Sequence, residues 1–396
     1  MNLPARFSSR FHTSLGLSLG LYLALAVTAA PADARRIVAI GDIHGAADAL
    51  VEILQQSGLL DDHERWSGGD AVLVQTGDFL DRGAEAIAVA ELLMELQEQA
   101  AASGGDVVVL LGNHEILNLF GDLRDVTVQI LHPFVDARSE ARRTFLCKSH
   151  VKIEKRRAEL LGQRPVPSSD LRQQCLQAHP LGLIEYREAL GPDKPLGRWL
   201  RGLPAVAQVG KVVFLHGGLS ASIPLDVDAI NARVRGELEV FDQVRAWLVE
   251  EGWMLPTAGV REQLEIVRQM AESGAATPDG FAEMLRASDW LALRPDGPFW
   301  FRGYAKWEES EGSPQIDAIL HRLGAEYLVV GHTPRASHSI ESRFDDRVFL
   351  IDTGMLSSVY RGRPAALEIY RGRFTAIYPE QREVLRQPFE GERLSP

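Results

Sequence analysis

The sequence predicts an α/β fold built around a parallel β-sheet. Three observations carry this: short β-branched runs without helical period, amphipathic stretches between them, and strands recurring at the spacing of successive βαβ units. With 45% apolar and 24% charged residues among 396, the chain can bury a sizeable core and is not of disordered composition. The first strand is read at 36–40, ending on Gly41. A helix is expected at 46–56, a strand at 71–76, a helix at 84–99, a strand at 106–111 and a helix at 115–120. Further apolar runs at 211–215, 327–330, 348–351, 366–370 and 374–378 read as strands, and their closer spacing implies that part of the sheet system is antiparallel. Two long segments, about 132–204 and 225–294, are helical in pattern and read as insertions over the core. In the second, Val227, Ile230, Val234, Leu238, Phe241, Val244 and Leu248 recur every three or four residues, as one helix face requires.

The first 34 residues have the layout of a secretory signal peptide. Arg6 and Arg10 precede an apolar run from Leu15 to Ala30, and Ala32-Asp33-Ala34 offers a small-residue cleavage site. The alternative, a retained anchor, needs about 20 spanning residues, which this run does not reach. Residues 35–396 are then one exported domain, periplasmic or secreted, with no stable membrane insertion after cleavage. A net charge of −12 has the wrong sign for a partner rich in nucleic-acid phosphates. Two cysteines are too few for a thiolate metal cluster. In an oxidising compartment Cys147 and Cys175 are expected to form a disulfide, worth about 3.5 kcal/mol by loop entropy.

Polar clusters stand at the ends of five strands. They are Gly41-Asp42-Ile43-His44-Gly45, Gly77-Asp78-Phe79-Leu80-Asp81-Arg82-Gly83, Gly112-Asn113-His114-Glu115, Leu215-His216-Gly217-Gly218 and Gly331-His332-Thr333. From Asp42 to Asp78 is 36 residues and from Asp78 to Asn113 is 35, about one βαβ turn each. Parallel strands therefore bring these side chains to one carboxyl edge, where open α/β sheets bind ligands. Taken singly, each cluster reads as a turn; turn chemistry does not ask for His and Asn at all these points. Oxygen and imidazole donors without thiolate suit Mn²⁺, Fe or Zn²⁺, and are too imidazole-rich for Ca²⁺ or Mg²⁺. A carboxylate shared by two such ions holds them about 3.5–4 Å apart, as in two-metal hydrolases.

The series GDIHG, GDFLDRG, GNHE, HGG and GHT resembles the calcineurin-like metallophosphoesterases, and its Asp-Arg-Gly and Asn-His-Glu elements resemble the phosphoprotein phosphatase superfamily. Residues 113–124 together with Trp300-Phe301-Arg302-Gly303-Tyr304 are similar to the bacterial-type Shewanella-like phosphatases. The Ser-Asp-Pro element of the eukaryotic serine/threonine enzymes has no clear copy, and Asp125 stands where that subgroup has an aromatic residue. The resemblance runs from Ile37 to Ile369. It implies a metallophosphoesterase β-sandwich flanked by helices, in α-β-β-α layers, with two helical insertions.

By the same resemblance, Asp42, His44 and Asp78 hold a first metal, and Asp78, Asn113, His216 and His332 a second, with Asp78 bridging. Two divalent ions are implied, Mn²⁺ first, with Fe or Zn²⁺ as alternatives, and a hydroxide between them is the expected nucleophile. His114 is the candidate general acid, with Asp81 orienting it. Arg82 offers a bidentate fork to phosphate, and Asn113, Arg302 and Arg124 are candidates for further phosphate contacts. For Arg302 the competing reading is a guanidinium stacked among aromatics; for Arg124 it is an ion pair with Asp122 or Asp125. The run Lys148, Lys152, Lys155, Arg156, Arg157 reads as a solvated helix face. The implied reaction is hydrolysis of phosphomonoesters on phosphoproteins, with phosphotyrosine a candidate preference. A dinucleoside polyphosphate hydrolase and a non-catalytic phosphate- or metal-binding protein are the alternatives.

Overall fold

The computed structural model describes residues 35–224, 226–274 and 278–388, so the signal segment expected at 1–34 lies outside the described residues. In chain order the strands are β1 (Ile37–Ile40), β2 (Val72–Gln75), β3 (Asp106–Val109), β4 (Val206–Val209), β5 (Val212–Leu215), β6 (Tyr327–Val330), β7 (Glu341–Arg343), β8 (Val348–Leu350), β9 (Ala366–Tyr370), β10 (Arg373–Ile377) and β11 (Arg382–Arg386). They form two sheets, of order β11-β10-β9-β1-β2-β3 and β4-β5-β6-β8-β7. In the first, β1, β2 and β3 are parallel, crossing over through α1 (Ala47–Gln56) and α2 (Ala86–Ala102). Its other half, β9, β10 and β11, is antiparallel, the mixture that the closely spaced C-terminal runs predict. In the second sheet β5, β6 and β8 are parallel and the edge strands antiparallel.

Alternate residues of one strand enter different cores. Ile37 and Ala39 of β1 join Val72 and Val74 of β2, Phe214 of β5, Val329 of β6 and Phe349 of β8 in the layer between the sheets. Val38 and Ile40 point the other way, into a core with Leu50 and Ile53 of α1 and Val89 and Leu93 of α2. Both faces of each sheet are therefore covered, which is why the central strands read as unbroken apolar runs. The layering is helix, sheet, sheet, helix. Strands β4, β7 and β11 escape a reading by apolar runs because they lie at sheet edges and leave part of their side chains in water.

Between β3 and β4 the chain passes through α3 (Asn113–Leu119), α4 (Val128–Leu131), α5 (Ser139–Leu160), α6 (Ser168–Ala178), α7 (Leu183–Ala189) and α8 (Pro195–Gly202). Between β5 and β6 it begins with α9 (Val227–Glu250) and α10 (Val260–Glu272). Asp226 caps α9 by accepting the Ala229 N–H at 2.8 Å, and the buried face of that helix includes Ile230, Val234, Leu238, Phe241, Val244 and Leu248, as its periodicity requires. Among the described residues no helix is long and apolar enough to cross a membrane.

A disulfide joins Cys147 of α5 to Cys175 of α6. It sits in a small cluster of its own with Leu146, Ile153, Ile184 and Leu255, apart from both main cores. The cluster is small, and the covalent link adds to the packing of α5 against α6. Reduction is expected to lower the unfolding free energy by about 3.5 kcal/mol. Denaturant titrations with and without reductant measure this, and coincident midpoints would show that the bond adds nothing.

Candidate metal centre and active site

The parallel strands of both sheets end at one place. Asp42 follows β1, Asp78 follows β2 and Asn113 opens α3 after β3, while His216 and His332 follow β5 and β6 of the other sheet. All are buried, with His44 and His114 beside them. The loops that carry them are held by Glu115. Its Oε2 accepts the N–H groups of Asp78 at 2.7 Å and Gly112 at 2.8 Å, and its Oε1 those of Phe79 at 3.1 Å and Leu80 at 2.9 Å. One carboxylate thus fastens the loops after β2 and β3 together. Burial, and next Asp78, raise Glu115 to about 7. Sequence reading finds this residue only as a motif letter, because its partners lie far away in the chain.

Glu115→Gln replaces two acceptor oxygens by one oxygen and an NH₂ that faces N–H donors. The expected loss is about 3 kcal/mol of stability, from buried N–H groups left unsatisfied. Chemical denaturation measures it, and an unchanged stability would deny Glu115 this role.

Backbone strain is concentrated in the same loops. His44, Asp78, Asp81, Arg82 and His332 all have φ between 49° and 68°, a region that non-glycine residues seldom occupy. Such conformations cost about 1–3 kcal/mol each and persist where surrounding contacts enforce them, typically at functional sites. Here the enforcing contacts include Asp78 O accepting from the Ile43 and His44 N–H groups, and Asp42 Oδ1 accepting from His332 N at 2.9 Å. Gly331 leaves room for that last carboxylate, which a Cβ at this position would strike.

The donor atoms converge in two groups that share Asp78. His216 Nδ1 must donate to the Thr76 carbonyl at 3.0 Å, which aims Nε2 inward. Within reach of that Nε2 are Asn113 Oδ1 at 2.9 Å, His332 Nδ1 at 3.1 Å and Asp78 Oδ2 at 3.3 Å. On the other side, His44 Nδ1 donates to Leu80 O at 3.0 Å, so its Nε2 points inward, 3.7 Å from Asp78 Oδ2 and 2.7 Å from Arg82 Nη1. A backbone carbonyl behind each imidazole is the usual way of fixing a metal-binding tautomer. Burial, the largest influence, lowers His44 to about 3 and His332 to about 2, so both rings are neutral, as ligands must be. Burial works against ionisation of Asp78 too, but the imidazoles of His216 and His114, both lifted above the usual imidazole value by Asp78 against their burial, outweigh it and hold this carboxyl well below the usual range. These donors fit divalent cations of the Mn²⁺, Fe and Zn²⁺ kind.

Asp352, directly after β8, is a further buried carboxyl that the sequence reading missed, although an acid at a strand end was the available signal. It is hydrogen-bonded to Asp42, and burial raises it to about 6. Burial followed by Asp352 also raises Asp42 well above the usual carboxyl value.

His114 Nδ1 meets Asp81 Oδ2 at 2.8 Å, which leaves Nε2 toward the cavity, 3.8 Å from Asp78 Oδ2. Burial opposes charging of His114, but Asp78, with Asp81 behind it, wins and lifts it above the usual imidazole value. Asp81 is in turn held by Asn118 Nδ2 at 2.8 Å, and Asn118 Oδ1 accepts from Tyr186 Oη at 2.7 Å. Tyr186 lies on α7, so the first helical segment braces the carboxylate behind His114. That brace is invisible to sequence reading.

The cavity at the centre is about 270 Å³ and is lined by Asp42, Asp78, Asn113, His114, His332 and Asp352, with Arg82, Arg302 and Tyr360 at its wall. His44, His216 and Asp81 stand behind this lining. Arg302 Nη1 donates to His332 O at 2.8 Å and Thr333 Oγ1 at 3.0 Å, rather than stacking free among aromatics. Arg82 contacts the hydroxyl of Tyr360, whose ring stacks on His44. Arg124 is not part of the lining. It is half exposed and ion-paired with Asp122. Asp125 places its carboxylate 4.0 Å from His114 Nδ1.

Residues 35–336 match the family model for calcineurin-like phosphoesterases. Over 347 residues the chain is 30% identical to the Shewanella-like protein phosphatase 2 of Arabidopsis thaliana, covering 85% of this chain and 75% of that protein. It is 26% identical to the Shewanella-like protein phosphatase 1 of Plasmodium berghei, over 83% of this chain and 69% of that one. Among solved structures, the cold-active protein-tyrosine phosphatase of a psychrophilic Shewanella species superposes with a TM-score of 0.58 at 23% identity, covering 89% of this chain and 81% of that one, a likeness of fold.

Proposed function

Since the chain belongs to the calcineurin-like phosphoesterase family and, like its Shewanella-like relatives, is a metal-dependent phosphatase, we propose that it hydrolyses phosphomonoesters on protein side chains with two divalent cations. The observation that carries this is the inward convergence of His216 Nε2, Asn113 Oδ1, His332 Nδ1 and Asp78 Oδ2, with Asp78 shared by the group that contains His44. Asp42, His44 and Asp78 would hold one ion, and Asp78, Asn113, His216 and His332 the other. Bound there, the ions would supply positive charge to the phosphoryl oxygens and make a water nucleophilic near neutral pH.

The chain's own groups do the rest. Arg82 and Arg302, on opposite attachments at the cavity wall, bind phosphoryl oxygens through their guanidinium forks, and Asn113 adds its amide. His114 Nε2 delivers a proton to the leaving oxygen, while Asp81 keeps Nδ1 occupied and the ring oriented. The small cavity suits a terminal phosphoryl group, and the Tyr360 ring at its wall suits an aromatic leaving group, which favours phosphotyrosine. The disulfide and the layout of residues 1–34 support export to an oxidising compartment.

The test is turnover by metal-stripped protein titrated in turn with Mn²⁺, Fe²⁺ and Zn²⁺, on matched phosphotyrosine and phosphoserine peptides and on a symmetrical dinucleoside tetraphosphate. Activity is expected to return with metal, highest with Mn²⁺, and kcat/KM to favour phosphotyrosine by about tenfold, one aromatic contact's worth. A phosphoserine preference would overturn the tyrosine assignment. Faster cleavage of the dinucleotide would replace the protein substrate altogether.

A further inference from the structure

Helices α5 and α6 each bring a cysteine and a histidine to one face. Cys147 and His150 are three residues apart on α5, and Cys175 and His179 are four apart at the end of α6, the spacings that place helical side chains on the same side. The disulfide sets these two faces against each other. Around it, Cys147 Sγ, Cys175 Sγ and a ring nitrogen of His179 lie within 4.8 Å of one another, and His179 Nδ1 is 3.7 Å from Cys175 Sγ. Two donors of one tetrahedral Zn²⁺, a thiolate at about 2.3 Å and an imidazole at about 2.0 Å, stand about 3.5 Å apart. Sulfur and nitrogen are therefore already at the separation that a shared ion requires. His150 lines, together with Cys175 and His179, a pocket of about 360 Å³ that opens beside the bridge and has no residue in common with the strand-end cavity.

The His179 ring is also held on its far side. In the bridged chain Nδ1 donates to the Cys175 carbonyl at 2.8 Å, and Nε2 accepts from Thr257 Oγ1 at 2.8 Å. A hydroxyl can accept as well as donate. With the proton moved to Nε2, Thr257 still holds the ring while Nδ1 offers its lone pair to a cation, the usual arrangement for a metal-binding imidazole. Burial lowers both His150 and His179 below the usual imidazole value, so each ring is neutral, as a ligand must be.

We propose that opening the bridge converts this cluster into a zinc site, in which Cys147, His150, Cys175 and His179 hold one Zn²⁺ between α5 and α6. A dithiol reductant gives two hydrogen atoms to the bridge and closes its own disulfide, leaving two cysteine thiols. Zn²⁺ then displaces one proton from each thiol to solvent, and the neutral imidazoles release none. Two thiolates cancel the charge of the ion, so the site is neutral overall and suits its apolar neighbours Leu146, Ile153 and Ile184. Its two soft sulfur donors select Zn²⁺ over the harder Mn²⁺. The two helices thus have interchangeable cross-links, a covalent one when oxidised and a metal when reduced.

The test uses Co²⁺, because thiolate-to-cobalt charge-transfer absorption arises only where sulfur is a ligand, and the strand-end donors include none. The full chain is reduced with dithiothreitol, desalted without oxygen and titrated beside the unreduced chain. One Co²⁺ per chain is expected to give this absorption in the reduced protein and none in the unreduced one, and Zn²⁺, the stronger binder, is expected to abolish it. His150→Ala and His179→Ala are each expected to weaken the cobalt site by at least about tenfold, since each removes one of four ligands, while Asp78→Asn leaves it intact. The absorption is expected to vanish in denaturant, which separates a folded site from two unstructured thiols. Its absence from the reduced chain, or its persistence in denaturant, would overturn the assignment without recourse to any variant. Parental affinity in both histidine variants would reduce the site to a pair of thiolates and overturn it equally.

Discussion

Asp78→Asn is expected to lower kcat on an aryl phosphate by on the order of 10³-fold or more at saturating Mn²⁺, the scale of several kcal/mol of lost charge stabilisation. Asp78 is the one residue common to both donor groups, and its Oδ2 lies 3.3 Å from His216 Nε2 and 3.7 Å from His44 Nε2. Its carboxyl is held ionised by the imidazoles around it. Asparagine has the same shape and can still accept the His114 N–H through its remaining oxygen, as Asp78 Oδ1 does at 2.9 Å. The variant therefore removes the negative charge and the second donor oxygen while leaving the loop its hydrogen bond. Melting curves without metal verify the fold, and calorimetric titration with Mn²⁺ is expected to give fewer than two bound ions. Activity within tenfold of the parent at the same metal concentration would sink the shared-carboxylate assignment.

His114→Ala is expected to cost about 10²- to 10⁴-fold on a phosphoserine peptide, the range for loss of a positioned general acid. The loss should be much smaller on p-nitrophenyl phosphate, whose phenolate departs without a proton. This dependence on the leaving group separates proton delivery from a merely structural role, because a displaced metal would slow both substrates alike. Asp81→Asn should show the same pattern more weakly, since Asp81 acts through the 2.8 Å contact with His114 Nδ1. Equal losses on the two substrates would make His114 a ligand or a packing residue instead of an acid.

How much of this was legible beforehand follows from what lies close in sequence. Strands β1, β2 and β5 are buried along their whole length, so their burial is written as continuous apolar runs, and β3, though at a sheet edge, keeps an unbroken run of valines; the ligand residues at their ends come with them. The strand-end convergence needs only the parallel order of successive βαβ units. Strands β4, β7 and β11 sit at edges, where half-exposed residues such as Gln208, Ser342 and Glu383 break the pattern. The supporting residues fail to show for another reason. Asn118 takes its hydrogen bond from Tyr186, 68 residues away, and Asp352 reaches Asp42 across the two sheets. Neither pairing has a local spacing to betray it.

Strand β1 lies between β2 and β9, and that order governs when the protein comes into being. Arg36, at the start of the first strand, is bonded to Glu368, 332 residues later, and Asp42 receives the N–H of His332, 290 residues later. A ribosome releases the chain from its N-terminal end, so β1, β2 and β3 emerge with one edge unpaired until β9 has been made. Until His332 has been made the nascent chain is an open sheet with an incomplete donor set. Hydrolytic activity therefore begins only with a nearly finished polypeptide, and fragments released early are inert and prone to aggregate rather than partly active.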